Sequence, residues 1–212
     1  RSTVTLLKDA QVSATTIAGA DSNFQISLNN LSAGNYIFSV YGEDKDGVRS
    51  SLLTFPVSVT SGATTNIGGI FLAPTISVDK SEVKKGDNIA IFGQSVPRSD
   101  ITIVVNSDEE YFGKVRSDAS GVYLYNFDTV PLEYGQHSTK SKSAIVNEIS
   151  SFSKAIGFKV GTKNVLSSVT EKAPAKGDVN GDGRVNLVDF SIAAFWYKRA
   201  LNSSFTLIEK DK

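Results

Sequence analysis

Cysteine and methionine are both absent from the 212 residues, histidine and tryptophan occur once each, and proline only five times. Without cysteine there is no disulfide framework, no thiolate metal site and no cysteine nucleophile. The same absence says little about redox compartment, because an exported chain can avoid cysteine as readily as a cytosolic one. Without methionine there is no initiator residue, so the chain reads as a processed product or an excised fragment. The lone His137 leaves no histidine cluster for zinc and no second imidazole for a proton relay. An excess of either charge is missing too. The 22 basic residues balance 22 acidic ones, which excludes the electrostatic footprint of a nucleic-acid binder. No apolar run approaches the ~18 residues that span a bilayer. The longest, from Ile67 to Val78, is broken by Gly68, Gly69 and Pro74, and no signal peptide or anchor is visible.

What is present is a two-residue rhythm. Val4 and Leu6; Phe24, Ile26 and Leu28; Tyr36, Phe38 and Val40; Phe55, Val57 and Val59; Ile76 and Val78; Ile89 and Ile91; Ile101, Ile103 and Val105; and Ile156, Phe158 and Val160 alternate with mostly polar neighbours. That pattern predicts half-buried strands, and Gly, Asp, Asn and Ser between them supply turns. A strand about every ten residues favours an antiparallel β-sandwich.

The segments also repeat. Val4-Thr5-Leu6 matches Ile101-Thr102-Ile103, and Asp21 and Asp118 follow at the same distance. Leu31-x-x-Gly34 matches Leu132-x-x-Gly135, Ser50-Ser51-Leu52 matches Ser150-Ser151-Phe152, and Phe55-x-Val57-x-Val59 matches Ile156-x-Phe158-x-Val160. Two copies of one β-module therefore cover residues 1–72 and 73–162. The second carries an extra leader, 73–99, whereas Arg1 already stands where Arg98 stands. The first copy is thus expected to begin mid-domain, to lack one or two strands, and to present a sheet edge at which another segment pairs. Residues 163–176, rich in Ser, Thr, Lys, Ala and Pro without period, read as a linker.

Beyond it stands the motif with the most specific chemistry. Gly177-Asp-Val-Asn-Gly-Asp-Gly-Arg-Val-Asn-Leu-Val-Asp189 has the spacing of a twelve-position calcium loop. Calcium is a hard cation that takes six to eight oxygens. Side chains of Asp178, Asn180 and Asp182, the carbonyl of Arg184, a water-bridged contact from Asn186 and a closing carboxylate from Asp189 supply them, and Gly183 sits where the loop turns. The following stretch, 187 to about 200, reads as a helix apolar on nearly every face. Leu187, Val188, Phe190, Phe195, Trp196 and Tyr197 are candidate partner-binding residues, because such a helix needs more than one surface to cover it.

With Phe190 next, the loop resembles the first repeat of a type I dockerin, the calcium-binding module that docks enzymes and surface proteins onto cohesins. That resemblance implies Ca2+ and a cohesin-like partner, whereas the open sheet edge of the first copy points to copies of the chain itself. Two departures stand beside it: no second loop follows Ala200, and Leu187-Val188 replaces the small hydroxyl pair that often contacts cohesin. The β-modules are similar to transthyretin-like, carboxypeptidase-regulatory-like and bacterial Ig-like repeats. Asp21-Ser-Asn-Phe-Gln-Ile-Ser-Leu28 with Leu31-Ser-Ala-Gly-Asn-Tyr36 carries the likeness in the first copy; Pro74-x-Ile76, Gly86-Asp87 and Ile91-Phe-Gly93 carry it in the second. These families imply stalk or adhesion roles on a bacterial surface.

Other signals have plainer explanations. His137 matches Tyr36 of the first copy and reads as a strand residue, no G-x-S-x-G elbow accompanies it, and Asp108-Glu109-Glu110 reads as a solvated hairpin tip. Asp44-Lys-Asp-Gly47 and Asp118-Ala-Ser-Gly121 read as tight turns. The expected molecule is mainly β and non-catalytic: two Ig-like β-sandwich modules, a linker, and an EF-hand-like or dockerin-like calcium loop and helix over 177–212. Its expected setting is extracellular, with association through a protein partner or through the open edge, and without nucleic acid. Alternatives are the accessory region of a secreted polysaccharide-degrading enzyme and a subunit of a self-assembling filament or adhesin.

Overall fold

A computed structural model describes residues 2–167. Every regular element among them is a β-strand. The first repeat holds β1 (Thr3–Lys8), β2 (Gln11–Ile17), β3 (Gly34–Glu43) and β4 (Leu53–Val59). The second holds β5 (Ser77–Val78), β6 (Lys80–Lys84), β7 (Asn88–Gln94), β8 (Asp100–Asn106), β9 (Glu110–Arg116), β10 (Val122–Asp128), β11 (Gly135–Ile145), β12 (Glu148–Ile149), β13 (Ile156–Gly161) and β14 (Val165–Leu166).

The first repeat forms one antiparallel sheet in the order β2-β1-β3-β4. The second builds two sheets: β10-β7-β5, and β9-β8-β11-β13-β6-β14 with β12 beside β11. Read from β9, the larger sheet repeats the order of the first-repeat sheet and then continues it with β6, which runs parallel to β13, and β14. The registers agree as well. Val4 lies opposite Gly42 as Ile101 lies opposite Ser143, and Tyr36 lies opposite Val57 as His137 lies opposite Phe158. A one-residue slip would turn every side chain to the other face, so this agreement establishes two copies of one strand arrangement.

Alternation explains the core. In the second repeat Ile89 and Ile91 from the small sheet meet Ile101, Ile103, Phe158 and Val160 from the large one, all at most 1% exposed. In the first repeat only Val4, Ala18 and Val40 form the buried cluster, with Leu6, Phe24, Ile26, Phe55 and Leu72 half-covered around it. The repeats are tied together by side chains: Thr75 Oγ1 donates to Asp44 Oδ2 at 2.8 Å and Ser51 Oγ donates to the Phe152 carbonyl at 2.9 Å. Thr75 also accepts from Gln94 N, and its carbonyl accepts from the buried Tyr123 hydroxyl at 2.7 Å, so the junction reaches into the second core.

Two expectations from the sequence differ from what is observed. Phe24, Ile26 and Leu28 alternate inward as a strand does, yet among the described residues no strand pairs with them. Residues 163–167, read as the start of a linker, include β14, which pairs with β6; Asn164 Oδ1 also accepts from Lys84 N at 2.9 Å. Those contacts lie about eighty residues apart in sequence, out of reach of any local pattern.

Candidate functional site

The calcium-loop residues Asp178, Asn180, Asp182, Arg184, Asn186 and Asp189 lie outside the described residues, as do Leu187, Val188, Phe190, Phe195, Trp196 and Tyr197. Among the described residues no group of three or more His, Asp or Glu side chains is placed to hold a metal ion. The acidic turns are held by their own backbones. Asp44 Oδ1 accepts from Asp46 N and Val48 N, at 3.0 and 2.9 Å. Asp118 Oδ1 accepts from the Ser120 hydroxyl, Ser120 N and Val122 N, at 2.7, 2.7 and 3.0 Å. Those donors, the Ser120 hydroxyl first, hold the Asp118 carboxyl below its ordinary value, and the Asn23 amide does the same for Asp21. His137 sits in β11 with Nε2 2.9 Å from the Glu133 carbonyl and its ring 5.7 Å from that of Phe158, a structural setting.

What the described residues do offer is a cleft of about 730 Å³, lined by the first repeat and by Glu148 of the second. Leu6, Phe24, Ile26, Leu28, Phe55 and Val59 give it an apolar floor, and residues 62–70 form its rim. The floor exists because strand alternation points these side chains the same way, and among the described residues no second sheet covers them. Along it the backbone of residues 24–31 makes no hydrogen bond to any other backbone group among the described residues, and neither does that of residues 64–72. Among the described residues no strand pairs with the outer edge of β4. The alternating apolar pattern at 24–28 was visible in the sequence, whereas the part played by residues 62–70 was not, because Thr, Asn and Gly carry no periodicity.

Among the described residues no helix is long and apolar enough to cross a membrane. No family model matches the chain, and no curated protein sequence matches it. Among solved structures it is similar to an endo-β-1,4-mannanase from Thermotoga petrophila, at 16% identity and a TM-score of 0.32 over 42% of this chain and 20% of that one. It is also similar to a Ca2+-stabilized adhesin with which an Antarctic bacterium binds ice, at 15% identity and a TM-score of 0.26 over 77% of this chain and 40% of that one. The chain thus spans at most two fifths of the length of these neighbours, and TM-scores this low carry no argument about its fold or role.

Proposed function

We propose that the chain is a non-catalytic extracellular structural protein, an Ig-like β-sandwich stalk followed by a calcium-stabilised, dockerin-like module that mediates association with a protein partner. The observation that carries the stalk reading is the tandem repetition of one strand order and register, with the repeats joined through Asp44, Thr75, Ser51 and Phe152. Tandem modules with a hydrogen-bonded junction set a fixed spacing between whatever lies at their ends.

The calcium reading rests on the donor set. Asp178, Asn180, Asp182, the Arg184 carbonyl, Asn186 and Asp189 offer oxygen only, which suits a hard cation and suits zinc or copper poorly. Three carboxylates in one short loop repel each other, so bound calcium would lower the free energy of the loop's folded form and couple metal binding to its folding. The aromatic residues that follow, Phe190, Phe195, Trp196 and Tyr197, combine large apolar area with polar tips and are suited to a protein interface.

Titration calorimetry with calcium tests the assignment. One calcium per chain is expected, with Asp178→Ala weakening it strongly and Asp118→Ala leaving it unchanged. Absence of binding, or equal losses in the two variants, removes the calcium module from the proposal.

A further inference from the structure

We infer that the outward face of the second repeat's large sheet, around Lys114, Lys140 and Lys142, is a docking surface for a second copy of this chain, which presents the acidic tip of its β8–β9 hairpin. Comparison of the repeats shows that the fold itself does not call for these lysines. In the second repeat Lys142 lies opposite Thr102 and Thr102 opposite Lys114, while Lys140 lies opposite Val104 and Val104 opposite Phe112. By register the first repeat carries Tyr41, Thr5 and Thr15 in one row and Ser39, Leu7 and Val12 in the other. The same strand order therefore stands with no cation at any of the three positions.

Two of the lysines are also held in place. Lys140 Nζ lies 4.7 Å and Lys142 Nζ 5.1 Å from the centroid of the Phe152 ring, so both ammonium groups converge on one aromatic side chain. The ring attracts each of them but carries no net charge to offset their mutual repulsion. Restricting the two long side chains also lowers the entropy cost of forming an ion pair there. Phe152 is 37% exposed and Phe112 65% exposed, so an incoming segment meets apolar surface on both sides of Lys140.

A complementary surface stands on the same chain. The second repeat turns from β8 into β9 through Ser107, Asp108 and Glu109 and begins β9 with Glu110, whereas the first repeat turns through Asp9 and Ala10. Asp108, Glu109 and Glu110 are exposed, and Ser107 N closes the tip by donating to the Glu109 carbonyl at 3.0 Å. Among the described residues no ion pair involves these carboxylates or Lys114, Lys140 and Lys142. Tip and face carry opposite charge, and the formal charge of the chain is zero, so copies meet without net repulsion. The hairpin cannot bend back onto its own face, because Glu110 stands about 13 Å from Lys114 along the same strand. Tip and face are different patches, so the contact is heterologous and builds an open-ended row of copies rather than a closed pair. The calcium loop plays no part in this inference, which stands or falls apart from the proposed function.

The test is sedimentation of the full chain at constant calcium, in low salt and in about 0.5 M salt, where exposed charges are strongly screened. The weight-average mass is expected to rise with protein concentration in low salt and to fall in high salt. A variant with Lys140→Glu and Lys142→Glu, and another with Asp108→Lys and Glu109→Lys, should each weaken self-association at least about tenfold. A 1:1 mixture of the two should restore it, because each variant then meets opposite charge on the other. An original chain that stays monomeric in low salt, association that survives in both variants, or a mixture no stronger than its components overturns the inference. Binding of polygalacturonate that is lost in the Lys140 and Lys142 variant, with self-association unchanged, overturns the second copy as occupant in favour of an acidic polysaccharide.

Discussion

The two repeats share strand order and register, and differ in closure. In the second, the small sheet β10-β7-β5 lies over the large one, and Ile91 and Ile103 are wholly inaccessible. In the first, the same large-sheet order stands with no paired sheet above it among the described residues, and Leu6, the counterpart of Ile103, stays half-buried. Alternation alone therefore builds a sheet with an apolar face, while burial needs a second layer. The free energy of the apolar face is realised only when that layer arrives, at roughly 25 cal/mol per Å² removed from water.

This comparison can be broken most directly at equivalent core positions. Ile103→Ala is expected to lower stability by about 3 to 4 kcal/mol, because it leaves a cavity between two sheets, and Leu6→Ala by about half as much, because water already reaches that side chain. Denaturant unfolding of both variants measures the difference, and equal losses would mean that the first repeat is closed in solution.

A smaller effect is expected at the turns. Gly121 has φ +85°, and a Cβ there would meet the Ser95 carbonyl oxygen at 2.2 Å, whereas Gly47 has φ +75° and open space around it. Gly47→Ala should cost about 1 kcal/mol from backbone strain alone, and Gly121→Ala about 2 kcal/mol or more, since the turn must also move away from Ser95. Matching melting temperatures for the two variants would show that the second repeat yields at this turn as freely as the first.

Tyr123→Phe sharpens the contrast at the junction. The hydroxyl donates to the Thr75 carbonyl and lies 2.9 Å from Ser141 Oγ, both buried. Its loss is expected to cost about 1 to 2 kcal/mol, and to speed amide exchange at Gln94, whose N–H is held by Thr75. If exchange at Gln94 is unaltered, the link from Asp44 into the second core is not cooperative.

The smallest effect concerns acid. Asp21 and Asp118 both have folded values held below the ordinary carboxylate value of 3.8. Their contribution is present above the unfolded value and is lost as pH falls through the lower folded value. Both are exposed, so the slope is shallow. Asp118→Asn and Asp21→Asn should each flatten the stability profile below about pH 4 by a similar small amount. A steepened profile in either variant would contradict the turn geometry.

Much of the strand content could be read from period two, but besides the two-residue β12 and β14 five longer strands could not, and each of the five has its own reason. The inward side of β11 carries His137, Thr139, Ser141 and Ser143, all at most 9% exposed, so no apolar alternation marks it. Thr139 Oγ1 donates to the Val104 carbonyl, and Ser141 Oγ lies 2.9 Å from the Tyr123 hydroxyl, contacts from distant segments that make burial of these two side chains tolerable. In β10, Val122 and Leu124 face outward at 41% and 54% exposure, which hides the inward rhythm of Tyr123, Tyr125 and Phe127. β2 is almost wholly exposed, β6 carries only Val83 inward, and β9 alternates Tyr111, Gly113 and Val115, where the ring of Tyr125 occupies the space beside Gly113. The calcium loop, by contrast, is legible by spacing alone, because its ligands are neighbours in sequence.

The sequence by itself determined the β class, the two-fold repetition and the turn positions, because these rest on local alternation, on φ-permissive residues and on matching segments. Tertiary structure alone decided that β6 runs parallel to β13, that Val165–Leu166 is a strand, and that Asp44 grips Thr75. It also decided that residues 24–31 and 62–70 border one cleft. Each of these depends on groups far apart in the chain, and backbone donors and acceptors carry no sequence signal of which distant partner will satisfy them.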